Sequence, residues 1–108
     1  MKTQEQLQKM TEQALTFELA CLVFGDDNVY MANFGKVSVS ARFDLGYVSI
    51  NDWSWLMPLA VEHGISLIKP ASETWTAFIW DCNNESSGDS PQRAIAICLI
   101  LKLQEIQA

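Results

Sequence analysis

A chain of 108 residues, 49% apolar and 19% charged, carries enough hydrophobic material for one packed core and too little length for two. One domain over 1–108 is therefore expected, packed as a globule rather than a disordered tail. Thirteen acidic side chains against seven basic ones give a net charge of -6, which opposes phosphate neutralisation and adhesion to anionic lipid. No direct nucleic-acid partner and no membrane partner are expected.

The first element in chain order is a helix. Leu7, Met10, Ala14, Phe17, Cys21 and Phe24 recur at steps of three and four and predict one amphipathic helix with this stripe inward. Gln4, Gln8, Glu12 and Glu18 fall largely off the stripe. Thr3 with Gln6 reads as a weak capping box, and Gly25 followed by Asp26, Asp27 and Asn28 as the stop.

A β region follows. "VYMA" (29–32) and "VSVSARF" (37–43) flank the turn residues Asn33 and Gly35, which predicts a hairpin. Val37, Val39 and Ala41 alternate with Ser38, Ser40 and Arg42, so the first three point inward. "LGYVSI" (45–50) predicts a third strand, bent at Gly46.

In "NDWSWLMPLAVEHGISL" (51–67) a proline decides the frame. With Ser54 as N-cap, Pro58 stands in the first helical turn, where it is tolerated. With Asp52 as cap it moves deeper, at a cost on the order of 3 kcal/mol. Leu56, Leu59, Ala60 and His63 then share a face, and Gly64 supplies a left-handed exit.

"ISLI" (65–68) starts a strand at once, and Pro70 and Ser72 form a turn after it. "TWTAFIWD" (74–81) places Trp75, Ala77 and Ile79 on one face and Thr76, Phe78 and Trp80 on the other, which suits a central or covered strand. "NNESSGDS" (83–90) reads as a polar loop. Ser90-Pro91 starts a last helix that runs to about Gln107 and is apolar nearly all round from Ala94 to Leu101. Such a helix is buried within its own domain or against another subunit, so a homodimer through the 91–106 helix stays open. The order α-β-β-β-α-β-β-α, with three helices, predicts an α+β sandwich with a mostly antiparallel sheet.

Three blocks, "NDWSWLMPLAVEHGISL", "WTA" (75–77) and "SPQRAIAICLILKL" (90–103), together resemble the NinX-like proteins of lambdoid phages and prophages. A related group of phage proteins with an α-β-α sandwich domain shares the strand tryptophan and the final helix pattern. The resemblance covers roughly the half of the chain from Asn51 onward, with Asp52 and Ser90 standing where the family has asparagine. It implies a phage or prophage accessory protein and brings no activity with it.

Candidate chemistry is sparse. Cys21, Cys82 and Cys98 are far apart and odd in number, which describes neither a disulfide framework nor a zinc site and suits a reducing cytoplasm, that of a bacterial host on the resemblance. "MKTQEQLQKMTEQ" is too polar for a signal peptide, and "AIAICLIL" (94–101) is too short for a membrane span. Cys21 and Cys98 fall on core-like helix faces, which leaves Cys82 as the candidate reactive thiol. His63, at a helix end, suits the dipole there. No nucleophile elbow, phosphate loop or paired-carboxylate spacing occurs, so no catalysis, no cofactor and no metal are expected.

The candidate partner-binding residues are Trp53, Trp55, Asp52, Trp80 and Arg93. Trp53 and Trp55 point in different directions, and either one staples the helix start to the core while the other stays half-exposed, or they anchor an interface. Arg93 in a first helical turn is either an ion pair to Asp89 or Asp52, or a hook for an acidic partner. The expected role is protein–protein binding to a host or phage protein. The alternatives are inhibition of a host defence nuclease or complex, of anti-CRISPR or anti-restriction type, by acidic surface mimicry, and a structural homo-oligomer.

Overall fold

The computed structural model describes residues 2–68, 74–79 and 85–107. They form α1 (Gln4–Gln8), α2 (Glu12–Phe24), β1 (Val29–Met31), β2 (Val37–Val39), β3 (Tyr47–Val48), α3 (Trp53–Glu62), β4 (Ile65–Ile68), β5 (Trp75–Ile79), β6 (Glu85–Gly88) and α4 (Pro91–Gln107). The strands make two three-stranded antiparallel sheets, ordered β1-β2-β3 and β4-β5-β6. The fold is α+β, as the segregated elements predict. α2 packs on the first sheet, α4 packs on the second, and the two helices pack on each other.

α4 is the core. Ala94 through Ile100 are at most 2% exposed, and α2, α3, β5 and β6 cover them. The helix that is apolar all round is thus buried by its own chain. Ser90 starts it as expected, its Oγ accepting from the Arg93 N–H at 3.2 Å. No described helix is long and apolar enough to cross a membrane.

The N-terminal region departs from the single expected helix. Its periodicity runs through Lys9 and Met10, yet the chain breaks there and restarts at a second cap, with Thr11 Oγ1 accepting from the Ala14 N–H. The described residues therefore carry four helices, not three. Thr3 and Gln6 do form the capping box. The break resets the inward face: Leu15, Thr16, Leu19 and Ala20 are buried, while Ala14, Phe17, Cys21 and Phe24 are half-buried. Thr16 is tolerated inside because its hydroxyl donates to the Glu12 carbonyl at 2.7 Å and accepts from the Ile50 N–H at 3.2 Å.

In the first sheet Val37 and Val39 point inward, as the alternation predicts, and Val48 joins them. Ala41 does not. The strand ends at Val39, and an exposed Ala41 opens a 3-10 turn, Ala41–Phe43. Residues 83–90, expected as a polar loop, contain β6, which pairs with β5 from Trp75↔Gly88 to Phe78↔Glu85. A strand of serines and glycine has no apolar alternation to betray it. It is held instead by buried Ser86, whose Oγ donates to the Ala94 carbonyl at 2.9 Å, and by Gly88, where a Cβ would come within 2.9 Å of Ala94 N. This pairing puts β5 at the centre of its sheet, the place its two-faced apolar pattern suits.

The cap of α3 is Asp52, not Ser54. Asp52 Oδ1 accepts from the Ser54 N–H at 3.0 Å and from the Ser54 hydroxyl at 2.6 Å, and its carbonyl accepts from Trp55 and Leu56. Pro58 therefore lies inside the helix. Burial of Trp55, Leu56 and Ala60 fixes this frame against the local preference. Gly64, with φ 69°, takes the left-handed exit.

Candidate functional site

The outer side of α3 is apolar. Trp53, Met57 and Val61 follow at steps of four and form one row, exposed by 38%, 43% and 72%. Opposite them stand Ile65 and Leu67 of β4, an edge strand of its sheet, with Ile95 and Ala60 below. The seven side chains line a groove of about 380 Å³ with no charged group among them. Exposed acids mark the two ends of the helix, Asp52 before it and Glu62 at its last turn.

Of the expected contact residues, Trp53 reaches this groove. Trp55 does not: it is 9% exposed and stacks on Phe24 at a centroid distance of 6.4 Å, so it is the staple of the pair. Asp52 is exposed and serves as cap. Arg93 pairs with neither Asp89 nor Asp52. Its Nη2 donates to the carbonyls of Gln8 (3.1 Å) and Met10 (2.8 Å), the acceptors freed where α1 ends. It is a clamp between the first and last helices, because a guanidinium satisfies two carbonyls at once. Trp80 lies outside the described residues.

The nucleophile and metal candidates do not gather. Cys98 is buried. Burial pushes the Cys21 thiol from 9.0 up to about 11, and the nearby charges of Asp26 and Glu18 push the same way. Cys82 lies outside the described residues. The backbone N–H of His63 caps α3 by donating to the Leu59 and Val61 carbonyls, while its own carbonyl accepts from Lys102 Nζ at 3.1 Å. Among the described residues, no three His, Cys, Asp or Glu side chains converge as a metal site would require.

A second concavity, about 330 Å³, lies between the β1–β2 turn and the starts of α2 and α3. Phe34, Lys36 and Tyr47 line it from the first sheet and its turn, Glu12 and Asp52 from the two helix starts. Lys36 Nζ sits 5.1 Å from the centre of the Tyr47 ring. Phe34 is 96% exposed and stands in the left-handed region (φ 64°, ψ 26°), followed by Gly35 at φ 73°.

Sequence reasoning missed Met57, Val61, Ile65, Leu67 and Phe34. The four-residue spacing of 53, 57 and 61 was the available signal for the helix row; nothing local joins it to β4. Compared with protein-family models, with curated proteins and with solved structures, the chain matches none.

Proposed function

We propose that the protein acts by binding another protein and that the groove between α3 and β4 is the contact surface. The observation that carries this reading is the groove's lining of seven apolar side chains, of which Trp53, Met57 and Val61 are left open to water. Exposed tryptophan and methionine in a concave, uncharged patch are the material of interface hot spots. The row from Trp53 to Val61 rises about 12 Å along α3, the length over which a partner helix presents three anchors.

The partner chemistry follows from charge. A net charge of -6 suits an amphipathic helix whose apolar stripe is flanked by Lys and Arg. The resemblance to NinX-like phage proteins makes a host or phage protein in the bacterial cytoplasm the expected source of that helix. No catalytic step is assigned to the chain.

The test compares wild type with Met57→Lys/Val61→Lys, a pair of changes at exposed positions. Proteins retained from bacterial lysate are identified by mass spectrometry, and the interaction is reconstituted from purified components. The expected partner binds wild type and the control Lys9→Ala, and loses at least about tenfold in affinity for the groove variant. The same partners held equally well by all three would refute the assignment.

A further inference from the structure

The cleft beside the β1–β2 turn differs in chemistry from the groove. Glu12 and Asp52 bring two carboxylates and Lys36 one ammonium, so the cleft keeps one negative charge in excess. Glu12 Oε2 accepts from Asn51 Nδ2 at 2.6 Å, and Asp52 Oδ1 accepts from Ser54. Each of these bonds engages one oxygen of its carboxylate. The cleft also shows that its aromatic wall takes a cation, since the Lys36 ammonium already rests over Tyr47. Phe34 offers a further ring, 96% exposed, on the same rim.

We propose that this cleft receives the arginine side chain of a partner polypeptide. The guanidinium stacks on Phe34 and donates to the carboxylates of Glu12 and Asp52. Arginine fits better than lysine because a planar, weakly hydrated cation satisfies a ring face and carboxylates together. Lys36 is the resident competitor: it occupies Tyr47 and offsets part of the cleft's charge. None of the groove's seven lining residues belongs to this cleft, so either surface can fail its test without the other.

The probe is the blocked peptide acetyl-Gly-Gly-Arg-Gly-Gly-amide, titrated into the ¹⁵N-labelled full chain at low salt, with the glutamate analogue as control. Saturable shifts are expected at residues 34–36, 47, 51 and 52 with the arginine peptide alone. Phe34→Ala and Glu12→Gln should each weaken binding by about threefold, and Lys36→Met should strengthen it by about threefold. Chemical shifts away from the cleft report that each variant is folded. Absence of saturation at millimolar peptide, equal shifts from the glutamate analogue, or weaker binding by Lys36→Met would overturn the proposal.

Discussion

Replacing Phe34 by glycine should stabilise the protein while removing the most exposed aromatic ring among the described residues. The backbone at 34 lies at φ 64°, ψ 26°, where a side chain's Cβ crowds the following carbonyl at a cost of about 1–2 kcal/mol. Glycine removes that cost but enlarges the conformational freedom of the unfolded chain, which takes back about 0.5–1 kcal/mol. The ring is 96% exposed, so its loss forfeits almost no buried area. The balance is a gain of about 0.5–1 kcal/mol, a rise in Tm of a few degrees (on the order of 2–6 °C) for a chain of this size. Urea unfolding followed by circular dichroism measures it, with an unchanged m-value showing that the folded state is otherwise intact. Phe34→Ala separates backbone from ring, because it keeps the Cβ in the left-handed region and should leave stability within about 0.5 kcal/mol of wild type. Loss of stability in the glycine variant, or an equal gain in the alanine variant, would refute the reasoning.

Three other outcomes follow from the packing. Gly88→Ala drives a Cβ to 2.9 Å from Ala94 N and 3.0 Å from Arg93 Cβ, and should cost about 1–3 kcal/mol in urea unfolding, because the obstacle is the backbone of α4. Arg93→Met removes the one amino group that donates to both carbonyls; a loss of about 1–2 kcal/mol is expected, with faster amide exchange across residues 4–10. At pH 8 the folded-state Cys21 should react with iodoacetamide about a hundredfold more slowly than in the urea-unfolded chain, as peptide mapping would show, because burial holds its thiol near 11 against 9.0. The sign for stability is the same: the fold holds this proton more tightly than the unfolded chain, so the contribution is intact below pH 9 and is lost as pH rises toward 11.

The elements with a strong local signal are the ones a reader of the chain recovers. Ser90-Pro91 before a long apolar run marks α4, Gly64 marks the end of α3, and the two-faced pattern of 75–79 marks a central strand. What stays hidden is decided by distant contacts. The α1–α2 break is invisible because the apolar spacing continues through it; Arg93, 83 residues away from Met10, donates to the freed carbonyls. β6 is invisible because its inward residue is a serine satisfied by α4 rather than an apolar side chain. The candidate site divides in the same way. Trp53 is legible as an aromatic at a helix start, whereas the groove exists only once β4 and Ile95 are brought beside it. Phe34 is hidden by its neighbours, since Asn33 and Gly35 are the residues expected to do the turning, and the left-handed geometry takes in the bulky one between them as well as Gly35.

Two residues break local rules, and the contrast between them separates scaffold from surface. Pro58 sits within α3 and has no N–H to give the Ser54 carbonyl, a fault of about 3 kcal/mol in a helix interior. The frame that puts it there also buries Leu56 completely and Trp55 to 9%, and two side chains of that size offset such a cost at about 2–3 kcal/mol each. The proline is therefore explained inside the molecule. Phe34 has no such offset: its backbone is strained, its ring meets water, and the adjacent Gly35 shows that the turn needs a residue without a Cβ more than it needs an aromatic. A local conflict that packing does not resolve is where contact with another molecule is expected. By that criterion the rim of the cleft, more than the buried tryptophan or the clamped arginine, is the part of this chain whose residue choice the fold leaves unaccounted for.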